Sequence, residues 1–166
     1  MKFDWLSFTG SLTEKMEQWS GQQMQVKVLD QGVRPVFPDE SLVLGIPWRQ
    51  WAWVREVDLA FNGVSWVVAR TVAPLSSLVG QAARLRLLKQ QALGPILFNR
   101  LKAERRDIDF RLVDKIQWSH NNLDKPLWCR RSLFHISTRP LLLKEVFLPA
   151  HPLYHQLRDN HQQDAH

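Results

Sequence analysis

Residues 48–78 read WRQWAWVREVDLAFNGVSWVVARTVAPLSSL, and their reading decides the fold. Asn62-Gly63 is a two-residue turn signal, because both residues tolerate the positive φ of a type I′ turn. With that pair as the loop, the spacing predicts a β-hairpin in which Phe61 faces Val64 and the register counts back in pairs. Leu59 then meets Trp66, Val57 meets Val68, and Arg55 meets Arg70. One face carries Trp51, Trp53, Arg55, Val57, Leu59 and Phe61 on one strand, and Val64, Trp66, Val68, Arg70 and Val72 on the other. It is apolar apart from two arginines set opposite each other. Like charges across a sheet repel, and a guanidinium on a buried face needs a partner. Two readings follow. The arginines form a pocket for an anion, even a dicarboxylate that guanidinium groups grip bidentately. Or they are structural, paired with acidic residues elsewhere in the core.

Outward from the hairpin, residues 4–19 carry Trp5, Phe8, Leu12, Met16 and Trp19 at helical steps. Thr9-Gly10 breaks this helix, and Ser11 with Glu14 forms a capping box that restarts a second one beside Leu12. Residues 22–31 alternate as a strand. Residues 32–40, with two prolines, read as loop, and residues 41–47 as a second loop or short strand. After Pro74, residues 75–92 predict a helix with Leu78, Ala82, Leu85 and Leu88 or Lys89 on one side. Leu93-Gly94-Pro95 ends it and opens a short helix through Phe98. Residues 107–113 alternate again, with Ile108, Phe110 and Leu112 inward, and residues 115–125 read as an exposed polar loop.

Residues 127–154 predict a second hairpin, with strands at 131–137 and 141–148. Leu141, Leu143, Glu145 and Phe147 share a face, so a carboxylate sits among Leu and Phe. That is costly unless it is paired or neutralised. Glu145 therefore either partners a core arginine or addresses a ligand hydroxyl. The repeated plan of helices followed by a hairpin predicts an α+β fold. We expect a single antiparallel sheet of about six strands with helices packed on it. Residues 1–154 form one domain, and residues 155–166 read as a polar, disordered tail.

The composition narrows the function classes. The 166 residues are 45% hydrophobic and 23% charged, which places the chain among globular proteins rather than disordered ones. The single Cys129 allows no internal disulfide, and no CxxC or HExxH spacing indicates a metal. The formal charge of +6 is spread out, with only a short basic run at 102–106. No nucleic-acid-binding signature accompanies it. No apolar run is long enough for a membrane helix, and the N-terminus has no signal-peptide core. The expectation is a cytoplasmic protein without membrane insertion or nucleic-acid partner. Of the 8 tryptophans, Trp51, Trp53 and Trp66 read as core rather than as stacking platforms.

An ordered set of motifs adds to this reading. It comprises W-V-R-E-V at 53–57, A-R-T-V-A-P at 69–74, A-L-G at 92–94, R-R-S at 130–132, and P-L-L-L-K-E-V-F-L-P at 140–149. In order and spacing the set resembles the chorismate pyruvate-lyase family from about residue 4 to residue 154. The resemblance implies a cofactor-independent carbon–oxygen lyase that converts chorismate to 4-hydroxybenzoate and pyruvate for ubiquinone biosynthesis; a monomer is the expected state. It also implies a fold related to ligand-binding (UTRA-like) domains of bacterial transcription regulators. It places the ring-carboxylate arginine at Arg55 and the carboxylate facing the product hydroxyl at Glu145. It places a backbone contact at Leu93 and an apolar lid position at Leu12, where the family often has Met. The chain departs from the family pattern at Thr138-Arg139 and Pro95, both at turns. Arg70 would be a second clamp for the dianion or an organiser for Glu145. The rival expectation is a non-enzymatic domain of the same fold that binds a small carboxylate.

Overall fold

The Asn62-Gly63 turn forms as the sequence predicts, with φ of 49° and 75°. It joins β2 (Trp51–Phe61) to β3 (Val64–Pro74). The computed structural model describes residues 4–118 and 122–163. Among these, β1 (Gln25–Pro35), β2, β3, β4 (Glu104–Lys115), β5 (Asn122–Ile136) and β6 (Arg139–Phe147) form one antiparallel sheet in the order β1-β2-β3-β6-β5-β4. The two hairpins thus meet at the centre through β3 and β6.

The predicted hairpin register holds only next to the turn. Phe61 pairs with Val64 and Ala60 with Ser65, but Leu59 pairs with Val67, because β3 carries one extra residue at Trp66. Such a bulge flips every later side chain to the other face. Trp66 and Val67 both pack in the same cluster with Phe61. Beyond them Arg55 faces Thr71, and Arg70 faces Glu56. The expected Arg55–Arg70 pair does not exist. The two guanidinium groups lie on opposite sides of the sheet.

One side is covered by α1 (Asp4–Ser7), α2 (Leu12–Ser20), a 3-10 segment (Gly80–Leu87), α4 (Leu93–Pro95, continuing as a π turn over Ile96–Arg100) and α5 (Leu153–Gln163). Ser11 caps α2 by accepting a hydrogen bond from the Glu14 N–H. Leu6, Met16, Phe147 and Leu153 are fully buried there. Each such side chain contributes roughly 1.5–3 kcal/mol. The segment expected as a helix over 75–92 instead forms 3-10 turns. It still buries Leu78, Ala82, Leu85 and Leu88 as expected. The tail from residue 155 is helical through Gln163, because Leu153 and Leu157 extend the apolar stripe onto the core.

The opposite side is covered by α3 (Pro38–Leu44), a helix where the sequence reading had loop. Pro38 opens it, and Gly45 ends it in the left-handed conformation at φ 66°. Glu40 of α3 is fully buried and receives Arg70 in a two-pronged contact, Nε–Oε1 2.6 Å and Nη2–Oε2 3.1 Å. The remaining Arg70 nitrogen, Nη1, donates to Glu56 at 2.5 Å. Lys144 also reaches Glu40, at 2.9 Å. Two further corrections concern apolar residues. Trp51 is 58% exposed at the start of β2, and Phe110 and Leu112 are exposed on the edge strand β4, beyond the reach of the helices.

Two predictions come from this frame. Arg70→Met leaves Glu40 and Glu56 buried with less compensation, and burial already holds the Glu56 carboxyl above its usual range. Chemical unfolding should register a loss of about 3–5 kcal/mol. The second concerns His151, buried between Trp5 and Phe147, each 4.8 Å away between ring centroids. Its Nδ1 accepts the Leu153 N–H. Burial, and secondarily Arg130 and Lys15, push its pKa down to about 3. The unfolded chain takes up that proton near 6.5 and the folded one does not. Stability should therefore fall as pH drops from about 6.5 towards 3. Urea titrations at pH 7 and pH 4.5 should show a smaller drop for His151→Gln than for the wild type.

Candidate active site

β2 turns Arg55 towards the helix side, between Trp53 and Val57. The side chain is 1% exposed. Its Nη2 donates to two backbone carbonyls of the segment before α4, Lys89 at 3.0 Å and Gln91 at 2.8 Å. Its Nε has no hydrogen-bond partner, and no described carboxylate forms an ion pair with it. Burial lowers its pKa. A guanidinium held this way is positioned by neutral groups and retains its charge for something else.

β6 places Glu145 on the same side, 5% exposed. It faces Arg130 of β5 in the ladder and accepts from Arg130 Nε at 2.7 Å. Arg130 Nη1 also donates to the backbone carbonyls of Trp5 and Phe8, at 3.4 and 2.9 Å. So the carboxylate is locked to the sheet, and the guanidinium ties α1 to it. Glu145 thus has the core-arginine partner that was one of its two expected roles.

Between these groups lies a small cleft of about 40 Å³. Its floor is Val57, Leu59, Ala69, Thr71 and Leu143 of the sheet, and its walls are Leu12 and Thr13 of α2 with Leu93 and Leu97 of α4. The two walls touch. A Cβ on Gly94 would come within 2.5 Å of Ser11 Oγ, so glycine there lets α4 approach the start of α2. Arg55, Leu12, Leu93 and Glu145 therefore line one space, as does Arg130. Arg70 does not, for the register reason given above.

Sequence reasoning missed Arg105, which also lines the cleft. It stacks over Phe134 at 4.8 Å and Phe98 at 5.7 Å. Burial, then the neighbouring charge of Arg130, brings its pKa down to about 10. Alternation counted back from Ile108 points Arg106 inward. A bulge between Arg105 and Asp107 substitutes Arg105, opposite Phe134. Arg130 was visible in the R-R-S motif, but its role appears only in the ladder.

A more open cleft of about 260 Å³ lies on the opposite face. Its Asp39, Arg131 and Lys144 are committed to one another at 3.3–3.6 Å. Among the described residues no group of three or more His, Cys, Asp or Glu is arranged to hold a metal, and no helix is long and apolar enough to cross a membrane.

The chain is similar to known proteins. The sequence profile of the family described as chorismate lyase matches residues 1–159. A probable chorismate pyruvate-lyase of Methylococcus capsulatus is 37% identical over 151 residues, covering 88% of this chain and 93% of the relative. The chorismate pyruvate-lyase of Erwinia tasmaniensis is 36% identical over 157 residues, covering 93% and 82%. Among solved structures, the ligand-binding domain of a putative GntR-family transcriptional regulator from Bordetella bronchiseptica superposes with a TM-score of 0.55 at 13% identity. It covers 77% of this chain and 87% of that one. That likeness is of fold alone, and it is the regulator-domain fold the sequence implied.

The exposed test of the site is Arg55→Gln. Without a charge-assisted contact in a buried site, affinity for a benzoate-type carboxylate should fall about 10- to 100-fold, measured by calorimetric titration. Wild-type affinity would remove Arg55 from the site.

Proposed function

The chain belongs to the chorismate lyase family, and from that premise we propose that the helix-side cleft eliminates pyruvate from chorismate and leaves 4-hydroxybenzoate, the precursor of the ubiquinone ring. The observation that carries the site assignment is the buried Arg55, which has backbone partners but no carboxylate partner among the described residues, in one cleft with the Glu145–Arg130 pair. Chorismate bears a carboxylate on C1 of its ring and a hydroxyl on C4, at opposite ends. Arg55 receives the ring carboxylate, with the backbone at Leu93 beside it. Glu145, held by Arg130, receives the hydroxyl. Leu12 closes the apolar wall over the ring.

In the reaction the bond from ring C3 to the ether oxygen of the enolpyruvyl arm breaks, and C4 loses its hydrogen. The electrons of the C4–H bond become the new ring double bond, which completes the aromatic ring. The ether oxygen becomes the ketone of pyruvate, and the arm's methylene takes a proton to become its methyl group. In a cyclic transition state the C4 hydrogen passes directly to that methylene. The protein's task is then to hold the arm folded over the ring in a site that excludes water. In a stepwise route Glu145 takes the hydrogen as a general base.

Purified protein mixed with chorismate in the presence of a chelator should release 4-hydroxybenzoate and pyruvate in equal amounts, followed by ultraviolet absorbance and a coupled pyruvate assay. Binding without release would make the chain a carboxylate-binding domain instead. Glu145→Gln separates the two routes. A fall in kcat of about 10²–10⁴-fold is expected of a general base, whereas near-normal turnover leaves the direct transfer and an orienting role.

A further inference from the structure

Chorismate has two carboxylates, one on the ring and one on the arm, and the register of β2 and β3 removes Arg70 from any role in holding the second. The cleft offers three guanidinium groups and one carboxylate. Arg130 is committed to Glu145 at 2.7 Å. Arg55 serves the ring carboxylate in the reading above. That leaves Arg105. We infer that Arg105 binds the carboxylate of the enolpyruvyl arm, which makes it the residue that distinguishes the dianionic substrate from the monoanionic product. The inference rests on the lyase reading.

The surroundings of Arg105 fit this role. Its Nη1 donates to the backbone carbonyls of Phe8 and Thr9, at 3.3 and 2.5 Å, and so is oriented by neutral acceptors. Its Nε is buried without a hydrogen-bond partner. No described carboxylate forms an ion pair with it. Its guanidinium carbon lies over the rings of Phe98 and Phe134. Arg55 shows the same pattern of backbone acceptors, an unpartnered Nε and no counter-ion. Two such groups in one cleft leave two unmatched positive charges, and a dicarboxylate neutralises both. The product retains only the ring carboxylate, so it loses the Arg105 contact when the arm departs. Pyruvate carries that carboxylate away.

The test compares Arg105→Gln with Arg55→Gln in two measurements, kcat/KM for chorismate and the Kd of 4-hydroxybenzoate. For Arg105→Gln, kcat/KM should fall about 10- to 100-fold, the scale of a lost charge-assisted contact, while the Kd of 4-hydroxybenzoate stays within about threefold. Arg55→Gln should weaken both. Arg105→Lys, which restores the charge but not the fork, should recover part of the loss. A residue that merely ties residues 8–9 to the sheet would disturb both ligands alike. An equal loss of both in Arg105→Gln, or an unchanged kcat/KM, overturns the inference. A wild-type protein that neither turns chorismate over nor binds 4-hydroxybenzoate would instead overturn the lyase reading itself, and this inference with it.

Discussion

The extra residue at Trp66 determines which side of the sheet each charge occupies. Without it Arg55 and Arg70 would stand side by side on one apolar face, two like charges with one set of neighbours. With it, Arg70 turns to the face covered by α3 and meets Glu40 and Glu56. Arg55 remains on the helix side, where no described acidic residue forms an ion pair with it. A backbone irregularity thus separates a structural ion network from a cation that rests on backbone carbonyls.

The two faces handle buried charge differently. On the α3 face, Arg70, Lys144, Glu40 and Glu56 satisfy one another. Removing charges from water is costly, and only close partners offset the cost. On the cleft face, Arg55 and Arg105 rest on backbone carbonyls, which orient a guanidinium but do not cancel its charge. Burial accordingly lowers the pKa of both. That is the arrangement expected where a fold gives up some stability to keep a site ready for an anion. The Glu145–Arg130 pair lies between these extremes. It holds the carboxylate in place and, through Arg130, fastens the chain around Phe8 that borders the same cleft.

Much of this was legible in the sequence, for identifiable reasons. Asn62-Gly63 announced its turn, Ser11 its helix cap, and Leu141, Leu143, Glu145 and Phe147 their shared face. What was not legible depended on bulges. Period-two counting assumes an unbroken ladder, and one added residue reverses parity without any mark in the composition. The bulge at Trp66 moved Arg70 out of the expected clamp, and the bulge at Arg106 brought Arg105 into the cleft. α3 was missed for another reason: Pro35 and Pro38 read as loop punctuation, although Pro38 is the first residue of a helix. The motif resemblance pointed to Arg55 and Glu145 directly, without a register, and both line the helix-side cleft.

The most direct test of this account is a crystal structure of the protein with 4-hydroxybenzoate bound. The account predicts one molecule on the helix side, its carboxylate on Arg55 and its hydroxyl on Glu145, with Arg70 still bonded to Glu40 and Glu56. A molecule bound on the opposite face against Lys144 or Arg70, with the helix-side cleft unchanged, would contradict it.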